Sequence, residues 1–98
     1  MVIGVLRVRL FISDAQSLKD KRRIIKSLIE RIKNKFNLSV AETGLLDAWN
    51  DSELGLVCVS NEAAHSDRMM SSAIEFIENN GWVEITDACT ELIHYSPS

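Results

Sequence analysis

Apolar residues recur at two different periods along this chain, and the order in which those periods alternate restricts the fold more than any single motif. From Val2 to Ile12 the period is two: Val2, Leu6, Val8, Leu10 and Ile12 share one side, while Ile3, Val5, Arg7, Arg9 and Phe11 share the other. Such alternation marks a strand with one face committed to a core. Ser-Asp-Ala-Gln then turns the chain, and Ser17 with Asp20 three residues on reads as a capping box that opens a helix. Leu18, Ile25, Leu28, Ile29, Ile32 and Phe36 follow at spacings of three and four. They form an apolar stripe about 30 Å long.

After Asn37 the period returns to two in Leu38 to Thr43, a second strand. Turn residues from Gly44 to Ser52 surround Trp49, and a third strand runs from Glu53 to Ser60. Asn61 is placed to cap a second helix whose inner face carries Met70, Ala73, Ile74 and Ile77, and Gly81 is placed to end it in the left-handed conformation. Trp82 to Tyr95 completes the chain as a fourth strand, with a bulge expected near Asp87 and Ala88 where the alternation breaks. The order βαββαβ, joined by right-handed crossovers, predicts an α+β ferredoxin-like sandwich: a four-stranded antiparallel sheet ordered 4-1-3-2 with both helices on one face. With 98 residues and no linker or repeat, the expectation is a single domain over residues 1–98.

Charge is distributed unevenly over this order of elements. The net charge is −3, yet residues 17 to 36 hold eight of the eleven basic side chains and a local charge of +6, which leaves −9 on the other 78 residues. On a helical projection Lys19, Arg22, Arg23, Lys26 and Lys33 fall between roughly 40° and 140° from Leu18, interrupted by Glu30 near 120°, while the apolar stripe centres near 330°. These five cations form the candidate nucleic-acid contact stripe, because phosphates docked on them would release counterions. A solvated face is the competing account, since no stacking aromatics interleave with the cations in sequence. Arg31 and Lys35 project on the opposite flank. Lys21 projects inside the apolar arc, so its stem is expected to run along the core rim and its ammonium to seek a carboxylate.

Other chemistries find little support. The four glycines are scattered, so neither a phosphate-cradling loop nor a dinucleotide fingerprint can be written, and no cofactor is expected. Cys58, Cys89, His65 and His94 lack metal-ligand spacing. The strand order separates Cys58 from Cys89 by roughly 9 to 10 Å, too far for a disulfide. His65 is the best single candidate for acid–base catalysis, although no nucleophile stands beside it. Glu42 and Asp47 could be written as a carboxylate pair, but on a hairpin they read more simply as solvated turn residues. Arg7 and Arg9 lie mid-strand, not on the phosphate-holding loop that acyl-phosphate hydrolysis would use.

The sheet face without helices mixes Ile3, Val5, Phe11, Val57 and Val59 with Arg7 and Arg9. Reading of RNA by such a face calls for two or three aromatics, and only Phe11 is available. An apolar patch of this kind suits a homodimer through the sheet faces, unless the C-terminal segment around Ile93 and Tyr95 covers it. No apolar run approaches the roughly 18 residues of a membrane span, and Arg7 and Arg9 interrupt the N-terminal stretch where a signal peptide would be unbroken, so a cytoplasmic location is expected.

Several segments resemble one family. Ser17-Leu18-Lys19-Asp20-Lys21-Arg22 is similar to the S-L-K-x-K-R motif of the YlxP-like family of small bacterial proteins, a domain of unknown function, and Phe36-Asn37-Leu38-Ser39-Val40-Ala41-Glu42 to its F-N-x-S-V-A-E stretch. Asp47-Ala48-Trp49 leading to Leu54-Gly55, and Val59-Ser60 leading to Ala64-His65, also resemble the family pattern. The resemblance implies a ferredoxin-like fold and a gene neighbourhood shared with translation initiation and ribosome maturation factors, which points towards RNA or the ribosome. No catalytic residues come with it. The combined expectation is a noncatalytic cytoplasmic binding module near RNA or the ribosome, with a sheet-face homodimer second and a small enzyme around His65 third.

Overall fold

A computed structural model describes residues 1–97. Its elements are β1 (Val2–Phe11), α1 (Leu18–Lys35), β2 (Ser39–Gly44), β3 (Asp51–Ser60), α2 (Ala63–Glu78) and β4 (Glu84–His94). The strands form one antiparallel sheet ordered β2-β3-β1-β4, the expected 4-1-3-2 arrangement counted from the other edge. This is ferredoxin-like topology, with α1 and α2 on the same face of the sheet.

The period-two pattern of β1 decides which face that is. Val2, Leu6, Val8 and Leu10 are buried beneath the helices together with Leu54, Leu56 and Cys58 from β3. From the helices, Ile25, Leu28 and Ile32 of α1 and Met70, Ala73 and Ile77 of α2 close the same core. The opposite face pairs Ile3 with Val59 and Ile93, and Arg7 with Gly55 and Cys89. Ile93 thus lies within β4 beside Ile3 and enlarges the open face instead of covering it. Tyr95 continues the strand path, its N–H bonding the Met1 carbonyl at 2.9 Å.

Backbone chemistry at the helix ends partly departs from the sequence reading. Ser17 caps α1 as expected, its hydroxyl accepting from the Asp20 N–H at 3.1 Å. The Asp20 carboxylate reaches back to the Gln16 N–H at 3.3 Å, one residue before the cap. Glu62, not Asn61, is the N-cap of α2, and its N–H is satisfied by the Ser60 hydroxyl at 3.0 Å. Nor does Gly81 adopt the left-handed conformation: among the described residues no glycine has positive φ, and α2 ends on Asn79 in the right-handed region. The Asn80 side chain accepts from the Trp82 N–H at 3.0 Å and closes the turn without a glycine-specific geometry. The fourth strand accordingly starts at Glu84, not Trp82, so Trp82 belongs to the turn. The bulge lies between the Arg9–Asp87 and Leu10–Ile85 pairs, adjacent to the expected place.

Gly4 is the glycine that packing requires. A Cβ there would collide with the Ser66 hydroxyl and come within 3.0 Å of Cys58 Sγ and 3.2 Å of Met70 Cε, because α2 crosses β1 at this point. The same close approach brings Cys58 Sγ within 3.2 Å of Ser66 Oγ, a buried polar contact that satisfies both groups. Gly81 has nothing within 4 Å of the equivalent position. Gly4→Ala should therefore destabilise the protein by about 1–3 kcal/mol in urea denaturation, through overpacking. Gly81→Ala should stay within about 0.5 kcal/mol of the parent, whereas a left-handed glycine there would make that change destabilising.

Candidate nucleic-acid interface

The orientation of α1 follows from what it buries. Lys21, Ile25, Leu28 and Ile32 form its inner face, so Lys19, Arg22, Arg23, Lys26 and Lys33 all emerge on one exposed flank. By helix geometry the stripe from Lys19 to Lys33 is about 21 Å long. Arg23 bonds the Asp20 carboxylate at 3.0 Å, although its side chain remains 74% exposed. Lys19, Arg22, Lys26 and Lys33 form no salt bridge among the described residues. The two cations on the other flank lie against rings: Arg31 sits 4.9 Å from the Trp82 centroid, and Lys35 sits 5.3 Å from that of Phe76.

Lys21 is fully buried, a stronger outcome than a stem running along the core rim. Its ammonium donates to the Leu45 carbonyl at 2.8 Å and pairs with Glu42 Oε2 at 2.7 Å. Ser52, also buried, donates its hydroxyl to the same carboxylate oxygen at 2.6 Å. Glu42 is therefore the counter-ion of Lys21 and not half of a carboxylate pair with Asp47, which lies exposed in the hairpin loop. Leu45, at φ 58°, is the one described non-glycine residue in the left-handed region, and its carbonyl accepts from both Lys21 and the Ala48 N–H. The pair thus ties α1 to the β2–β3 hairpin.

One aromatic stands beside the basic helix after all. The turn before β4 brings Trp82, 42% exposed, against α1, where it helps to form an open cleft of about 370 Å³ with Asp14, Asp20, Arg23, Ile24 and Ser27. Sequence reasoning missed Trp82, Asp14 and Ser27 as members of this surface. Val83 and Ile85 take the core side and leave Trp82 outside it, but no periodic signal places a turn residue against α1.

The remaining candidates stay apart from one another. His65 is exposed near the start of α2, where a shallow hollow of about 260 Å³ also touches Phe36, Arg68, Met69 and Ser72. On the open face Arg7 donates to Asp87 at 3.0 Å and lies 3.5 Å from Glu53, and the bond to Asp87 raises its pKa above the ordinary arginine value. Cys58 is buried and Cys89 exposed, both as free thiols. Among the described residues no three His, Cys, Asp or Glu side chains gather around a metal-sized space, and no helix is long and apolar enough to cross a membrane.

Residues 3–90 match the family model described as "Protein of unknown function (DUF503)". The chain belongs to the DUF503 family. It is 33% identical over 90 residues to the uncharacterized protein YlxP of Bacillus subtilis (strain 168), spanning 92% of this chain and 98% of that one. Among solved structures it is similar to the de novo designed protein Foldit4, at 15% identity and a TM-score of 0.49 over 97% of this chain and 98% of that chain. It is also similar to a REP-associated tyrosine transposase bound to a REP hairpin, at 8% identity and a TM-score of 0.45 over 96% of this chain and 57% of that one.

Removing one partner of the Lys21–Glu42 pair leaves the other charge poorly solvated, which is costlier than removing both. Lys21→Ala should lower stability by about 3 kcal/mol in urea denaturation. Lys21→Met combined with Glu42→Gln should recover more than half of that loss, because the amide oxygen still accepts from Ser52.

Proposed function

We propose that this protein is a noncatalytic cytoplasmic module that binds RNA through the phosphate backbone, with Lys19, Arg22, Arg23, Lys26 and Lys33 of α1 as the contact stripe. The observation that carries this reading is the segregation of those cations. All five are exposed on one flank, Arg23 also bonding Asp20 and Glu30 standing exposed among them, while Lys21, Arg31 and Lys35 are occupied by a carboxylate or a ring. Acidic residues elsewhere give the whole molecule its charge of −3, so the stripe is a local attractor on a protein that otherwise repels polyanions. Ribosome association is one form this binding can take, in line with the sequence resemblance described above.

A second reading rests on a separate observation. Val59 is 67% exposed, and with Ile93, Val57 and Ile3 it forms an apolar area at one end of the open sheet face. Towards the other end the same face alternates Arg7 and Arg9 with Glu53 and Asp87. Such a surface suits a second copy of the chain, because a two-fold axis sets apolar against apolar and cation against carboxylate. Sedimentation equilibrium should then show a dimer that Val59→Asp converts to monomer, whereas a wild-type monomer at high protein concentration removes this reading.

For the stripe, Lys19→Glu with Lys26→Glu should weaken RNA binding and reduce the slope of log affinity against log salt by about 1.4, at roughly 0.7 per lost single-strand phosphate contact. Exposed charges contribute little to stability, so folding should be preserved. Glu75→Lys with Glu78→Lys on α2 is the matched control, since it changes net charge away from the stripe. Wild-type affinity in the stripe variant at low salt would leave α1 as a solvated face.

A further inference from the structure

We infer that the cleft between α1 and the turn before β4 takes one unpaired guanine base from an RNA whose phosphates lie on the α1 stripe. This rests on the RNA reading above and assigns a specificity that the stripe alone cannot supply, because phosphate contacts carry no sequence information. The first supporting observation is the ring. Trp82 is 42% exposed on the wall of a cleft of about 370 Å³, close to the scale of small-ligand pockets. The Trp82 main-chain N–H donates to Asn80 Oδ1 at 3.0 Å, which anchors the backbone of the turn, and the Arg31 guanidinium lies over one face of the ring, 4.9 Å from its centroid, without contributing to the cleft lining. An exposed indole with its other face open offers a stacking platform for a base.

The second observation is the polar composition of the lining. Asp14, exposed on the turn between β1 and α1, is bonded to no protein group among the described residues and is free to accept from a ligand, whereas Asp20 is occupied by Gln16 and Arg23. A carboxylate has only acceptors to offer, so it selects a base edge with adjacent donors. Guanine presents N1–H and the N2 amino group side by side. Adenine and cytosine each place a ring-nitrogen acceptor next to their amino group, and uracil flanks its single N–H with two carbonyls, so each brings an acceptor towards the carboxylate. Ile24 supplies an apolar wall and Ser27 a hydroxyl.

The third observation is continuity. Arg23 belongs both to the stripe and to the cleft lining, and its helical neighbours Lys19 and Lys26, four before and three after, lie on the phosphate side. A nucleotide with its base on Trp82 would therefore direct its phosphates towards the cations already assigned to them. No separate backbone path is needed.

The test uses the full chain carrying Trp49→Phe, which leaves Trp82 as the one tryptophan. Labelled hexauridylate, and hexamers in which one central uridine is replaced by guanosine, adenosine or cytidine, are titrated at low salt while label anisotropy and Trp82 emission are followed. All four should bind through the stripe, with the guanosine hexamer about tenfold tighter than the others and quenching Trp82. Trp82→Ala should abolish that tenfold advantage while Trp82→Phe keeps most of it, which separates loss of the ring from loss of fold. Asp14→Asn should remove the guanine preference and leave hexauridylate affinity unchanged. Equal binding of all four hexamers without a change in Trp82 emission, or preference for another base, overturns the cleft assignment and leaves the stripe standing. Failure of every hexamer to bind at low salt overturns both.

Discussion

The buried ion pair between Lys21 and Glu42 is the constraint on which the arrangement of the basic surface depends. A lysine ammonium inside a protein is tolerated only with its hydrogen-bonding capacity largely used, and here a carboxylate and a backbone carbonyl share it. Because Lys21 lies one helical turn before Ile25, its burial sets the rotation of α1 about its axis. The five cations then have no option but the outer flank. The same pair holds Leu45 in a backbone conformation that a branched side chain avoids, so the hairpin loop and the helix are specified together.

Both tryptophans gather at one end of the sheet. Pairing of Phe11 with Asp51 and Glu84 brings the β1–α1 turn, the β2–β3 hairpin and the α2–β4 turn to that end. Trp49 is exposed in the hairpin and Trp82 in the last turn. Loops carried on a rigid sheet can present recognition groups without disturbing the core, and the Asn80 and Leu45 contacts show two of these loops held by specific hydrogen bonds. The open sheet face, by contrast, presents side chains whose positions are fixed by strand register.

Much of this molecule is legible in its sequence. The period-two parity of Val2 to Ile12 identifies the buried face of β1 residue by residue, and the helical spacing from Leu18 to Ile32 identifies the inner face of α1. The cationic flank follows from the same arithmetic. Helix ends were less legible: Asn80-Gly81 reads as a glycine cap, yet the Asn80 amide closes the turn itself, and a side-chain hydrogen bond of that sort leaves no periodic trace.

Sequence by itself determined the order of elements, the strand topology and the concentration of positive charge on one helix, because each of these is written in residue spacing along a continuous segment. Tertiary structure alone decided that Glu42 answers Lys21, that Asp14 and Trp82 line one cleft beside α1, and that Arg31 and Lys35 lie against aromatic rings. These partners are separated by tens of residues, and they become neighbours only after the strands have paired and the helices have packed. Local periodicity encodes which side of an element is apolar; it does not encode which distant polar group will arrive there.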